Sequence, residues 1–386
     1  MNYISFSPYF PPNYIAFCIN LHKLGVVTLG LGDAPYHDLR SDLKSALREY
    51  YRVNNPHNYD ELARALGYFT HRYGKIDHLE SHNEYWLESD ARLRTDFNIP
   101  GLHVADLAPI KRKSIMKSMY KKARIPTARG RIANTLPEAQ AFIDEVGYPV
   151  VVKPDIGVGA YKTYKLDDLA ALTTFYSSKP AVDYFMEEYI TGNIETFDGL
   201  TDQDGKVVFS NSLVFKEGVM DLVNQNLDLW YYTQRAIPKD LEAAGRRLAA
   251  AYHLRERFFH FEFFRTPEGK LVGLEVNMRP PGGLTTDMFN YANDINIYYE
   301  YANVVVNNRF EAPVSRPYHC GYIGRRNNRT YRRSHNEVIN AFPRLLVHHE
   351  AISGVFSSAI GDYGYLLRSP DLAELSAAAD WILQKP

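Results

Sequence analysis

At the start of the last third of the chain, two strand-like stretches place charged side chains where they could bind a cation. In Phe258-Phe259-His260-Phe261-Glu262-Phe263-Phe264, a period of two puts His260 and Glu262 on one face and Phe259, Phe261 and Phe263 on the other. Thr266-Pro267-Glu268-Gly269 supplies turn residues, and the return run 271–279 alternates Val272, Leu274, Val276 and Met278 with Glu275, Asn277 and Arg279. A turn centred on Pro267 or Glu268 predicts Glu262 within about two residues of the position opposite Glu275. Two carboxylates so close repel unless a cation lies between them, and Mg²⁺ takes oxygen ligands from a few side chains together with phosphate. The competing reading is a polar strand facing solvent.

Arg279-Pro280-Pro281-Gly282-Gly283 follows at once. A guanidinium at a strand end, beside glycines whose N–H groups can approach an oxyanion, suits charge on a carboxylate or a tetrahedral intermediate. A plain proline-glycine turn explains the same residues. Tyr148-Pro149-Val150-Val151-Val152-Lys153 delivers one ammonium to a strand end, with Gly157 and Gly159 beyond it. The lysine precedes the glycines and no GK[ST] is present, so this is not a Walker loop. Lys113 opens a helix over 111–123 at the border of its apolar stripe, whereas Lys117 and Lys121 are read as solvated.

The elements that must position these groups follow from the patterns around them. Residues 1–108 alternate short apolar runs with helical patterns, as a small α/β domain does. Gly30, Gly32 and Asp33 are read as a strand-ending turn in preference to a phosphate loop. Helices are expected at 14–24, 59–73, 136–146, 241–254 and 372–383, and strands at 3–6, 26–31, 149–153 and 184–188. With 45% hydrophobic residues in 386, the chain has enough apolar material for two or three domains. Lys and Arg number 44 against 45 Asp and Glu, which leaves no net field for a polyanion, and no membrane span is expected. Two cysteines, Cys18 and Cys320, make no disulfide framework and fit a reducing cytoplasm.

Taken in order, these pieces resemble the ATP-grasp superfamily, from about 107 to 303. The resemblance implies an α/β (α+β) fold with a Rossmann-like N-terminal domain over 1–108, a lid over 109–186, a C-terminal jaw over 187–310 and an extension over 311–386. It makes Lys113 and Lys153 the phosphate lysines, with Gly157 and Gly159 in the flexible loop. Arg124 stands where the family has Gly in the turn after the first lysine's helix. Glu187-Glu188-Tyr189-Ile190 resembles the hinge that holds adenine, with Glu195 at the ribose position. Glu262, Glu275 and Asn277 become the Mg²⁺ (or Mn²⁺) ligands, and Arg279 the catalytic cation alongside Lys153. His260, Gly282 and Gly283 are candidate substrate contacts.

The family's usual reaction implies ATP and Mg²⁺, a carboxylate activated as an acyl phosphate, and an amine nucleophile. The partners would be small molecules, not nucleic acid or membrane, and a homodimer stays open. Rival readings are a non-catalytic ATP-binding switch, a kinase and a carboxylating enzyme. Specificity is expected in the N-terminal domain, in 216–235 and in the tail. Arg325 and Arg326 are read as solvated surface groups, with anion binding as the alternative.

Overall fold

Four short parallel strands form the N-terminal sheet: β1 (Asn2–Phe6), β2 (Val27–Gly32), β3 (Glu49–Arg52) and β4 (His78–Glu80), in the order β3-β2-β1-β4. The computed structural model describes residues 1–157, 162–215, 228–352 and 354–386. Both faces of this sheet are covered, as a parallel sheet requires. Ile4, Phe6, Leu29 and Leu31 pack with Leu62, Leu66 and Phe69 of the helix Tyr59–Tyr73. Gly30 and Gly32 lie within β2, close against Tyr50 and Tyr9. Their small size serves packing.

A second sheet, ordered β5-β8-β6-β7, is built from β5 (Gly130–Ile132), β6 (Val150–Pro154), β7 (Tyr164–Leu166) and β8 (Tyr184–Glu188), all antiparallel. Val150 and Val152 face an apolar layer with Phe142 and Ile143 of the helix Leu136–Val146 and Leu172 of the helix Leu169–Ser178. That leaves the end of β6 to present Lys153.

The third sheet is the largest. Its strands are β9 (Asn193–Thr201), β10 (Val207–Asn211), β11 (Leu213–Phe215), β12 (Leu229–Thr233), β13 (Phe258–Arg265), β14 (Leu271–Asn277), β15 (His319–Arg325), β16 (Leu346–Ala351) and β17 (Tyr363–Ser369). The order is β14-β13-β9-β11-β12-β15-β17-β16, with β10 also on β9. The segment expected as a separate extension therefore continues this sheet through the β12–β15 pairing. Phe259, Phe261 and Phe263 of β13 are fully buried with Phe197, Val276, Met116, Tyr120, Leu241 and Leu248. Each such side chain contributes roughly 1.5–3 kcal/mol. The helix Lys239–Ala251 approaches so closely that a Cβ on Gly245 would stand 2.0 Å from the Phe197 ring. On the helix Lys113–Lys122, Tyr120 lies over Gly273 in the same way, at 2.3 Å.

Two contacts dock the N-terminal sheet onto the largest one. Tyr3, Tyr14 and Phe17 pack with Phe258 and with Tyr298 and Tyr301 of the helix Ile297–Asn307. Beside them, Glu80 at the end of β4 takes Arg94 at 2.8 Å and Arg257 at 2.5 Å. Arg325 and Arg326 depart from the sequence expectation, since both are buried. Arg325 donates to the Ile382 and Arg333 carbonyls and stacks on Tyr331, fastening the C-terminal helix Leu372–Leu383. Among the described residues, no helix is long and apolar enough to cross a membrane.

Candidate functional site

The register of the β13–β14 hairpin decides the site. His260 stands opposite Asn277, and Glu262 directly opposite Glu275. On the other side of β13, His260 pairs with Asp198 and Glu262 with Thr196. Opposed residues share a face, so Asp198, Thr196, His260, Glu262, Glu275 and Asn277 form one polar surface backed by the phenylalanine layer.

Within that surface, Asp198 is fully buried and organises its neighbours. It accepts from Thr196 Oγ1 at 2.7 Å and lies 2.6 Å from His260 Nδ1, while His260 Nε2 lies 3.1 Å from Glu262 Oε1. Burial alone would lower the His260 pKa, but Asp198 and Glu262 on either side raise it to about 9. Burial pushes Glu262 up, and His260, Arg279 and Lys153 together more than offset this, holding the carboxyl below its usual range. Asp198 was not foreseen. Its partnership with His260 comes from strands 62 residues apart, which no local pattern reveals.

Across the cleft, the end of β6 carries Lys153, the end of β8 carries Glu187, and the helix Lys113–Lys122 carries Lys117. Lys153 Nζ pairs with Glu187 Oε1 at 2.5 Å, and Lys117 Nζ with Glu187 Oε2 at 2.8 Å. Burial would raise the Glu187 pKa, but the two ammonium groups hold it at about 2. Lys117 is thus not solvated as expected. It falls one helical turn after Lys113 and shares its cleft-facing side, a spacing that the sequence does display. Lys121 is exposed, as read. Lys113 Nζ donates to the Gly157 carbonyl at 3.0 Å and lies 3.5 Å from Glu275 Oε1. Asp155 stitches this helix start to β6: its carbonyl accepts from Lys113 N and its Oδ1 from Ser114 N. Gly159 lies outside the described residues.

The remaining expected residues divide. Glu188 ends β8 and is held by Arg129, and Tyr189 N donates to the Pro149 carbonyl, so residues 187–190 are fixed against the second sheet. Glu195 does not join the site. It stands opposite Phe263, on the helix-packed face, and Arg265 holds its carboxylate at 3.0 Å. Period-two parity thus removes Glu195 from the ribose position expected for it. Arg279 donates to the Pro280 carbonyl and lies 3.8 Å from Glu84 Oε2, a carboxylate that no motif had marked. Gly282 accepts from Thr285 Oγ1, and Gly283, at φ +64°, accepts from Asn13 Nδ2. The loop after Arg279 is therefore tied to the N-terminal sheet.

Whether a divalent ion fits can be judged from the donors. Glu262 and Glu275 face each other as an all-oxygen pair, with the Asn277 amide next along the strand. Among the described residues, no three His, Cys, Asp or Glu side chains are grouped to enclose an ion. The protein therefore offers a partial oxygen shell, which suits Mg²⁺ completed by phosphate oxygens.

Comparison with known proteins agrees with this geometry. Residues 146–287 match the ATP-grasp domain family. The L-arginine-specific L-amino acid ligase of Bacillus subtilis is 22% identical over 248 residues, 60% of this chain and 58% of that protein. The chloroplastic arginine-specific carbamoyl phosphate synthase large chain of Arabidopsis thaliana is 32% identical over 107 residues, 26% of this chain and 8% of that one. The alignments thus span little more than half of the first relative and a small part of the second. The crystal structure of an L-amino acid ligase from Bacillus licheniformis superposes with a TM-score of 0.75 at 14% identity, covering 99% of this chain and 96% of that one. N5-carboxyaminoimidazole synthetase from Staphylococcus aureus, complexed with ADP, gives 0.74 at 14% identity, covering 97% and 95%. The biotin carboxylase domain of Hydrogenobacter thermophilus 2-oxoglutarate carboxylase, with MgADP and bicarbonate, gives 0.70 at 16%, covering 95% and 86%. These superpositions lead to one identification: the chain has the ATP-grasp fold, and its residues 146–287 match the ATP-grasp domain family.

Proposed function

We propose that the protein is an ATP-dependent, ADP-forming ligase that joins a small carboxylic acid to an amine. The observation that carries this reading is the facing pair Glu262 and Glu275, with Arg279 at the end of the same strand and Lys113 and Lys153 opposite. Relatives described as L-amino acid ligases support it. A cytoplasmic setting fits the two free cysteines.

Lys113 and Lys153 bind the nucleotide phosphates, Lys153 exchanging Glu187 for phosphate oxygen. Glu262, Glu275 and Asn277 would hold Mg²⁺, which would supply charge neutralisation at the transferring phosphoryl group. Arg279 orients the acceptor carboxylate, whose oxygen attacks the γ-phosphorus as the bond to ADP breaks. The amine nitrogen then attacks the acyl carbon, phosphate departs, and Arg279 stabilises the oxyanion formed between these events. Asp198 acts through His260, fixing the ring that positions Glu262.

The test is a matrix of acids and amines in which ADP and phosphate are both measured. ADP release that needs both an acid and a nucleophile supports the ligase. Release that needs bicarbonate supports a carboxylating enzyme, a stable phosphorylated product supports a kinase, and nucleotide binding without turnover supports a switch.

A further inference from the structure

The N-terminal sheet points to a group that the reaction above does not use. In the order β3-β2-β1-β4, the chain winds outward in opposite directions on the two sides of β1. Open parallel sheets bind ligands outside the carboxyl ends of their strands at such a switch point. The segment leaving β4 there is Ser81-His82-Asn83-Glu84. Its path is fixed: Ser81 donates from N and Oγ to Asp90 Oδ2, and Asn83 Oδ1 accepts from Tyr85 N. Glu84 is thereby aimed at Arg279.

Glu84 is poorly satisfied in that position. Its side chain is 11% exposed, and Oε2 is buried with no hydrogen-bond partner among the described residues. The Arg279 Nε at 3.8 Å is too far for a hydrogen bond, and the terminal nitrogens of Arg279 are directed to the Pro280 carbonyl and Asn277 Oδ1. Burial raises the Glu84 pKa, Glu275 adds to this, and Arg279, Lys111 and Lys113 oppose it. A buried carboxylate oxygen left without a donor loses its hydration without replacement, which is destabilising. A cationic N–H donor entering the site would remove that cost.

An α-amino acid brings such a donor. Its ammonium and carboxylate are attached to one carbon, and Glu84 and Arg279, with Oε2 3.8 Å from Nε, present the complementary charges side by side. We propose that Glu84 receives the α-ammonium of an amino-acid substrate whose carboxylate is held by Arg279. This rests on the ligase reading and narrows it. The acid that is activated is a zwitterion, in contrast to bicarbonate or a simple carboxylic acid, neither of which has a group to place against Glu84.

The experiment measures ADP release by the full-length protein with hydroxylamine as nucleophile. It uses a panel of L-amino acids, each paired with its des-amino acid. The unaltered protein should prefer the amino acid by about 100-fold or more in kcat/KM, because the analogue leaves Glu84 unpaired. Glu84→Gln should shrink the preference to about fivefold through a raised KM for the amino acid. Affinity for a non-hydrolysable ATP analogue, read by calorimetry, should not change, which also reports that the variant is folded. Equal use of both members of each pair by the unaltered protein overturns the assignment, as does full discrimination by Glu84→Gln. In both cases continued ADP release leaves the ligase reading intact. If no acid elicits ADP from the unaltered protein, the ligase reading fails and this assignment fails with it. The first comparison is made on the unaltered chain, so it stands even if the variant does not fold.

Discussion

Two charged clusters face each other across the cleft, and they are neutralised to different degrees. At the lid, Lys153 and Lys117 share the two oxygens of Glu187, and Lys117 also donates to the Ala128 carbonyl. Each group there has an opposite charge at contact distance, so the cluster keeps its shape without a ligand. On the hairpin, Glu262 and Glu275 stand directly opposite each other. His260 serves the first, and Lys113 reaches the second only at 3.5 Å. The lid cluster is a closed circuit and the hairpin cluster is an open one. A cation belongs where neutralisation is incomplete, and on the proposed reading Lys153 must release Glu187 before it can bind phosphate.

The largest effect should come from altering the open cluster. Glu275→Gln removes a charge from the transferring centre, and Arg279→Ala removes the group that holds the acid. Each should reduce turnover by about 10³-fold or more. The two variants should differ in stability. Glu275→Gln relieves a like-charge contact, so its thermal unfolding temperature should hold steady or rise in metal-free buffer. A near-normal rate for either variant would break the comparison at its functional end, and a marked fall in unfolding temperature for Glu275→Gln would show that the hairpin was already neutralised.

The closed cluster should show itself in acid. The Glu187 pKa lies at about 2, below the ordinary 4.5. The contribution is therefore fully present above pH 4.5 and is lost as pH falls through about 2. Its size is about 3 kcal/mol, an order-of-magnitude figure for a buried group. Denaturant unfolding of the wild-type protein between pH 5 and pH 2 should lose stability that Glu187→Gln, already lacking it, does not lose. Parallel pH profiles for the two proteins would mean that Glu187 is not the group that closes the lid.

How far the sequence foretold these clusters depended on whether the partners were local. The hairpin was legible because period-two alternation and a turn at Thr266–Gly269 constrain register to within a residue or two, and the structure places Glu262 opposite Glu275. Lys113 and Lys153 are legible as a helix start and a strand end, where the structure places them. Glu195 was misplaced although its strand parity was available, because a motif position was given more weight than the face it occupies. Lys117 departs from the expectation of a solvated lysine because its interval of four from Lys113 puts it on the same side of the helix, against Glu187. Asp198 and Glu84 had no local signal. The first meets His260 through the β9–β13 register, and the second meets Arg279 only because the N-terminal sheet docks on the largest one. Arg325 and Arg326 failed for the same reason, since strand continuation into β15–β17 buries them.

The smallest effect separates the two lid lysines. Lys153 lies at the end of β6 and must turn to phosphate, whereas Lys117 is occupied with Glu187 and the Ala128 carbonyl. Lys153→Met should therefore weaken affinity for a non-hydrolysable ATP analogue by about tenfold or more, through loss of a direct charge-assisted contact. Lys117→Met removes no such contact. It leaves Glu187 to Lys153 alone, which strengthens the pair that nucleotide has to displace, so affinity should fall by only about threefold. In the double variant with Glu187→Gln, the loss caused by Lys117→Met should disappear, because the competing carboxylate charge is gone. Calorimetry on the unaltered protein, Lys153→Met, Lys117→Met, Glu187→Gln and the double variant decides the matter. If Lys117→Met costs as much as Lys153→Met, and still does so without Glu187, then Lys117 is itself a phosphate ligand and the lid is as open as the hairpin.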